Sequence, residues 1–354
     1  MVKISVVIPV YNEVKFIQKT LESVVGDADE IILSDNASTD GTSDICQSFA
    51  NRYPEIKYTR HKENKGSMEN FLFCFNQTSG KYIRNIGAHD MISIGSNQSM
   101  ASLLDKHADA VMVYPKYVIG LNENYSYKYF HVYNEFGDEL LSDSALVRTK
   151  SMMYNLKEFS IWFGLWRAEV FHGTLRPRIF QRFFTDRTQL ALTAAKGKML
   201  ADEKSVFFRM NPRSKQTADE TQERYASMIL NTKKTDAHPS FWNFAVIAEI
   251  HDFILEMFNN NPKFCQEILH LQLDRFVVMG GAFFRSEFTL KNMPPIIPEK
   301  QEFCQNLMTY IKKYYYKNII RNPKAIIKMT KRRVNVILKF ILPHGFYKWL
   351  RKRF

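Results

Sequence analysis

Residues 81–91 read Lys81-Tyr82-Ile83-Arg84-Asn85-Ile86-Gly87-Ala88-His89-Asp90-Met91, a short half-apolar strand that meets a glycine and delivers a histidine and a carboxylate at its end. In an open α/β sheet, ligands sit in the crevice beyond the carboxyl ends of the strands. His89 and Asp90 therefore stand where a metal ion or a diphosphate is expected. By itself such a strand end is more often a plain loop, so the reading depends on the segments around it.

Upstream, Ile4 to Val10 is a β-branched run that reads as a buried parallel strand, closed and turned by Pro9. Ile17, Leu21, Val24 and Val25 follow at helical spacing among charged and polar residues. Glu30 to Leu33 gives a second strand, and the polar loop Ser34-Asp35-Asn36-Ala37-Ser38-Thr39-Asp40-Gly41-Thr42 runs into a helix. A third strand, Ile56 to Thr59, leads to Lys65-Gly66 and a helix predicted to bury Met68, Phe71, Leu72 and Phe75. Tyr82 then opens the fourth strand of an alternation that predicts an α/β fold: a mainly parallel sheet flanked by helices.

A helix over 96–106 and a strand over 110–114 continue the pattern. Residues 115–150 are aromatic and polar without a clear period, which predicts an irregular or hairpin insertion. The stretch from Ser160 to Arg167 predicts a short helix, and Asp186 starts another that runs through Gln189 to Ala195 and stops at Gly197. Past a strand at Val206, the basic loop Arg209 to Arg213 ends the first domain. This division sets a catalytic unit at 1–215, with a donor half to about 115 and an acceptor half at 116–215. A helical region at 216–309 follows, where Val246, Ile250, Phe253, Ile254 and Met257 form an apolar stripe, and 310–354 is a basic amphipathic tail.

The 354 residues are 45% apolar and 24% charged, ordinary globular values that exclude wholesale disorder. Cys46, Cys74, Cys265 and Cys304 are far apart and read as reduced, packed thiols. The N-terminus lacks the pattern of a signal peptide, and no apolar run approaches the roughly 18 residues of a membrane span. These features predict a cytoplasmic protein. Of the net charge of +13, the tail from Tyr310 holds 14 Lys and Arg and no acid, leaving 35 bases against 36 acids elsewhere. A nucleic-acid enzyme would carry charge near its catalytic half as well, so no nucleic-acid partner is expected.

Four elements stand in order: Val7-Ile8-Pro9-Val10-Tyr11-Asn12-Glu13, the loop from Asp35 to Thr42, Lys65-Gly66 with Asn70, and Gly87-Ala88-His89-Asp90. Together they resemble the family 2 glycosyltransferases of the GT-A fold, a Rossmann-like nucleotide-binding architecture, over about residues 3–215. Pro9 would turn the chain so that Tyr11, Asn12 and Glu13 face the crevice; the plain alternative is a strand–helix turn with a helix cap at Asn12. Asp35, at the end of a buried strand, can accept the N–H of a pyrimidine or the base edge of guanine. Thr39, Asp40 and Gly41 read chiefly as turn and cap chemistry. The resemblance implies that Lys65, Gly66 and Asn70 line the nucleotide.

The family carries an acidic pair where His89-Asp90 stands, with the final carboxylate on a divalent cation. The resemblance thus implies Mn²⁺ or Mg²⁺ at Asp90, since one or two carboxylates plus substrate phosphates suffice. His89 departs from the pattern; it could bond a ribose hydroxyl or join the metal, which would favour Mn²⁺. Thr185-Asp186-Arg187 looks like the family's acceptor-side segment, with Asp186 as general base; a simple helix cap is the alternative. Arg187, Arg209 and Arg213 could reach phosphates or form a solvated face. Trp162 and Trp166 could stack on an acceptor sugar, though packing is the stronger reading.

In the tail, Lys324, Lys328, Lys331, Asn335 and Lys339 line one side of a helix and Ile327, Val334, Leu338 and Ile341 the other, followed by Phe346, Trp349 and Leu350 among bases. This reads as an element for an anionic membrane surface, or as a docking helix. The expectation is an inverting transferase of a nucleotide sugar, UDP first with GDP and dTDP open, peripheral on the inner face of the cell membrane. Its expected acceptor is a glycan or lipid-linked glycan of a bacterial surface polysaccharide, lipooligosaccharide or capsule. A sugar nucleotidylyltransferase lacks support, because no Gly-rich basic segment follows the first strand. A non-catalytic scaffold with a decayed nucleotide site is opposed by Asp35, Asp90 and Asp186.

Overall fold

The computed structural model describes residues 3–175, 186–210, 241–279 and 298–315. Arg213, Thr185, the expected boundary at 215 and the tail beyond 315 lie outside the described residues.

The sheet grows from β1 (Ile4–Val10), buried along its length apart from half-buried Pro9, as a strand covered on both faces must be. Parallel to it run β2 (Glu30–Asp35) on one side and β4 (Tyr82–Asn85) on the other, with β3 (Ile56–Arg60) outside β2. Val7 is in register with both Ile32 and Asn85. The connections α1 (Ile17–Glu22), α2 (Thr42–Arg52) and α3 (Ser67–Asn76) are helical. The chain winds outward from β1 to β3, then returns to place β4 on β1's other side, so a topological switch point lies between β1 and β4. Ligands of open α/β sheets bind at such points. Here Tyr11–Glu13 and Gly87–Asp90 emerge there.

Beyond β4 the sheet is mixed. Strand β5 (Met91–Ile92), β6 (Ala110–Leu121), β7 (Tyr127–Val132), β8 (Leu165–Arg167) and β9 (Lys198–Met210) complete the order β3-β2-β1-β4-β8-β6-β9-β5, with β7 on β6. Strand β8 is antiparallel to both β4 and β6, whereas β6 and β9 are parallel. The insertion expected at 115–150 is in part the β6–β7 hairpin, followed by α5 (Ala145–Asn155).

The helix expected from Ser160 to Arg167 is instead a 3₁₀ turn, Phe159–Phe163, then β8 and α6 (Ala168–Leu175). Gly164 permits this, since a side chain there would strike the Val113 carbonyl of β6. Trp166 is fully buried, edge-on to Phe171 at 5.3 Å, with its indole N–H on the Trp162 carbonyl. Trp162 is also buried and donates to Gln189 at 2.6 Å. These rings are core, so the stacking contact expected of Trp166 is withdrawn. Arg84, read as part of a plain strand, is also fully buried: it donates to Ser96, Asn97 and the Phe163 carbonyl, tying β4 to α4 (Ser96–Lys106). Burial lowers its pKa to about 10, against the opposing charges of Asp27 and Asp202.

Helix α7 (Asp186–Lys196) joins two cores. Leu190 and Ala194 face the sheet's core, while Ala191, Leu192 and Ala195 enter a second cluster with Phe244, Ile247, Ile254, Ile268, Leu273 and Ile311. That cluster is built by α8 (Phe241–Met257), α9 (Pro262–Met279) and α10 (Gln301–Tyr315). Because Ile311 is fully buried in α10, residues 310–315 belong to a packed helix. The four cysteines are free and buried. No helix among the described residues is long and apolar enough to cross a membrane.

Candidate active site

Two loops form one wall of the crevice. After Val10 the chain turns through Asn12, whose φ of 53° lies in the left-handed region that Asn tolerates better than most residues. Its backbone N–H donates to Ser38 and its side-chain oxygen accepts from Thr39 N–H, both at 2.9 Å. Asn12 is therefore a brace between loops, since α1 begins five residues later without it. Tyr11 is 41% exposed on this rim. Asp40 accepts from Thr42 and Val14 at the start of α2, the cap chemistry its sequence suggested.

Asp35 is fully buried. Its Oδ1 accepts from Ser38 N–H at 2.8 Å and its Oδ2 from the hydroxyls of Ser43 and Tyr58, with Arg60 at 3.6 Å. Burial and then the charge of Asp35 drive the Tyr58 hydroxyl's pKa well up. A nucleobase seeking Asp35 would compete with those partners. Asn36 reaches across instead: its amide bonds Asn64 at 2.7 Å and its oxygen accepts from Lys65 N–H at 2.9 Å. Asn64 in turn holds Gly66 N–H. The backbone at Lys65-Gly66 is thus fixed, with Gly66 at φ 87°, a conformation glycine adopts without steric cost. Asn70 does not face the crevice. It is buried under α3, exchanging hydrogen bonds with Ser34, which also contacts His61. The buried face of α3 is Asn70, Cys74 and Phe75, rotated from the face the apolar spacing predicted.

The floor is Gly87–Asp90. Asp90 is 3% exposed; its N–H donates to the Gly87 carbonyl and its Oδ1 accepts from Met210 N–H of β9 at 2.8 Å. A Cβ on Gly87 would sit 2.5 Å from Asp90 Oδ2 and 3.7 Å from His89 Nε2. The bare glycine thus leaves a notch faced by one carboxylate oxygen and one imidazole nitrogen. His89 is held from behind by Glu13, Nδ1 to Oε1 at 3.0 Å, and Glu13 is set by its own N–H on Thr42. Burial raises the Asp90 pKa, opposed by His89, the Met210 N–H and Arg209. Among the described residues, no three His, Cys, Asp or Glu side chains form a protein-only metal cage. One carboxylate oxygen in a notch fits a cation that takes most of its ligands from substrate phosphates.

The opposite wall comes from α7, β9 and the hairpin. Asp186 opens α7 and accepts from Arg187 N–H at 2.7 Å through Oδ1, and burial raises its pKa against the charges of Arg187 and Arg209. Arg187 lies over the Phe159 ring at 5.0 Å, so its charge is turned toward packing. Arg209 ion-pairs with Glu158 and feels the charge of Asp90 as well. Sequence reasoning placed Arg209 near the site and gave Glu158, with Glu169 and Asp202, only the place of an alternative general base to Asp186, not that of a partner of Arg209. The signal was faint: Gly120 and Tyr129 occupy the stretch without a period.

The switch-point loops thus carry the buried carboxylate of Asp90, and the charge of Arg209 is felt by both Asp90 and the Asp186 that opens α7. Residues 5–178 match the model of Glycosyl transferase family 2, so this stretch carries a domain of that family. It is 34% identical over 112 residues to abequosyltransferase RfbV of Salmonella typhimurium, covering 30% of this chain and 34% of that protein. It is 24% identical over 176 residues to glycosyltransferase GlyA of Streptococcus pneumoniae (48% and 25%), and 30% over 109 residues to the putative glycosyltransferase EpsE of Bacillus subtilis (30% and 39%). The matches thus span between a quarter and two-fifths of those relatives' length. In fold it resembles S. aureus TarS 1–349, whose crystal structure holds UDP-GlcNAc, with TM-score 0.53, 16% identity, and 87% of this chain and 80% of that one covered.

Proposed function

We propose that the protein transfers a sugar, with inversion, from a nucleotide sugar to a hydroxyl of a glycan acceptor in bacterial cell-surface glycan assembly, with a UDP-sugar as the favoured donor. What supports this is the switch-point position of Asp90 together with Arg209, whose charge acts on both Asp90 and Asp186. The relatives named for abequosyl transfer and the UDP-GlcNAc in TarS support the donor class.

The nucleotide lies along Tyr11, Asn12, Glu13 and the fixed Lys65-Gly66 backbone, with Pro9 and Asp35 shaping the wall behind and His89 at the ribose or phosphate. Asp90 would hold a divalent cation, Mn²⁺ or Mg²⁺, which when bound would offset the charge of the two phosphates. Asp186 Oδ2, which carries no hydrogen bond among the described residues, takes the proton of the acceptor hydroxyl. As that oxygen bonds the anomeric carbon, the bond from that carbon to phosphate oxygen breaks on the other face, and the electron pair leaves with the nucleoside diphosphate. One displacement inverts the centre. A raised Asp186 pKa suits this role, because a base works best with a pKa nearer the working pH. The basic residues beyond 315 hold the enzyme at an anionic membrane face, where a lipid-linked acceptor is met.

The test is a thermal-shift panel of nucleotide sugars with Mn²⁺. A ligand of the native state raises stability by about 2.7 kcal/mol at 100 Kd. A selective shift with one UDP-sugar supports the reading. No shift with any nucleotide or nucleotide sugar overturns it.

A further inference from the structure

Glu158 is a carboxylate with one oxygen fully engaged and the other bonded once. Its Oε1 accepts from Ser160 N–H at 3.0 Å, from the Ser160 hydroxyl at 2.9 Å and from Arg209 Nη1. Its Oε2 accepts from the Tyr129 hydroxyl at 3.3 Å, and its backbone carbonyl accepts from the Tyr133 hydroxyl at 2.8 Å. Tyr129 can lie in that position only because Gly120, opposite it in the hairpin, has no side chain; a Cβ there would run into the ring. Gly120 is also in register with Arg209 on β9. One cross-strand row thus carries Tyr129, Gly120 and Arg209, with Glu158 closing the loop from the 3₁₀ turn.

Such a carboxylate is poorly placed to take a proton from a substrate, because Oε1 is filled and Oε2 already faces the Tyr129 hydroxyl. What it does is fix a guanidinium. Arg209 is 40% exposed, paired through Nη1 with Glu158 and engaged also by the Tyr129 hydroxyl. Met210, the next residue, holds Asp90 Oδ1 through its N–H. Arg209 and the Asp90 notch are therefore set by adjacent residues of the same strand. The guanidinium fork matches phosphate oxygens in shape and stays charged.

We infer that Glu158 is a positioning residue that holds Arg209 for the diphosphate of the leaving nucleotide. The inference rests on the proposed transferase reading. As the bond to the anomeric carbon breaks, negative charge grows on the distal phosphate. A guanidinium aimed there beforehand stabilises that charge without having to reorganise. Glu158 acts only through Arg209.

The experiment is titration of the full chain with UDP in Mn²⁺, using wild type, Arg209→Ala, Glu158→Gln and the double variant, with circular dichroism as a check on folding. Arg209→Ala should weaken UDP binding about tenfold or more, the range of a charge-assisted hydrogen bond. Glu158→Gln should weaken it several-fold in the wild-type background and not at all once Arg209 is gone. Tyr129→Phe, which only loosens the clamp, should give a smaller loss with the same dependence on Arg209. Equal losses from Glu158→Gln in both backgrounds, or unchanged UDP affinity in Arg209→Ala, overturn the inference while leaving the transferase reading intact. If wild type binds none of UDP, GDP and dTDP, both fall. If Glu158→Gln unfolds, the Tyr129→Phe pair decides.

Discussion

Substituting Gly87 by Ala puts one methyl group into the notch and should disable the site without removing any charged group. The added carbon would stand 2.5 Å from Asp90 Oδ2, inside the 3.0 Å that real Cβ contacts respect. A clash with the end of a flexible side chain is ordinarily cheap, but Asp90 is buried and its other oxygen is pinned by Met210 N–H. Relief requires the carboxylate to rotate off that bond or β4's exit loop to shift. Overpacking of this kind costs about 1–3 kcal/mol, and each kcal/mol lowers Tm by roughly 2–4 °C at this domain size. No φ strain contributes, since Gly87 is not in the left-handed region. Calorimetric titration should show Mn²⁺-dependent UDP affinity reduced about tenfold or more, a loss of 1.4 kcal/mol, with Mn²⁺-independent binding nearly retained. Wild-type Tm together with wild-type Mn²⁺-dependent affinity in Gly87→Ala would refute the notch as the cation's place.

Other outcomes follow from the same geometry. Gly120→Ala should push Tyr129 off Glu158 and lower kcat/KM several-fold with little change in secondary structure, read by circular dichroism and donor turnover. Burial raises the pKa of both Asp90 and Asp186, so the acid limb of kcat/KM should lie above the ordinary aspartate range. The sign for stability is opposite: these two groups destabilise the fold while ionised, and that cost is relieved as pH falls through their raised values. A pH–rate profile whose acid limb sits at an unshifted aspartate value would contradict this. Truncation after Tyr315 should keep the fold, because Cys304, Leu307, Met308 and Ile311 remain buried in α10, yet release the protein from anionic vesicles. Each tail base near such a surface is worth about 1 kcal/mol, and binding should weaken with salt. A cut near Glu302 would remove those four core residues and unfold the second cluster.

Apart from the two-residue β5, the order of strands and helices through residue 114 was legible because buried apolar runs alternate there with helical spacing and polar turns. Asp90 and its glycine were legible for the same reason. Strand β8 was not: Leu165-Trp166-Arg167 is too short to show a period, and its pairing depends on the absent side chain of Gly164 beside β6. Asn70 misled because a polar residue in a helix's first turn looks solvent-facing, whereas here it satisfies buried Ser34. The clamp around Glu158 was hidden for a deeper reason. Ser160 is only two residues away, but Tyr129 and Arg209 come from β7 and β9, and only the pairing of both strands with β6 brings them to Glu158.

The most direct measurement of the central claim compares Mn²⁺-dependent UDP binding and turnover in wild type, Asp90→Asn and Asp186→Asn. Asp90→Asn should lose the metal-dependent part of binding along with activity. Asp186→Asn should bind UDP as wild type does while its rate falls 10²–10⁴-fold, the usual worth of a general base. The account is contradicted if Asp186→Asn turns over normally, or if Asp90→Asn keeps full Mn²⁺-dependent binding.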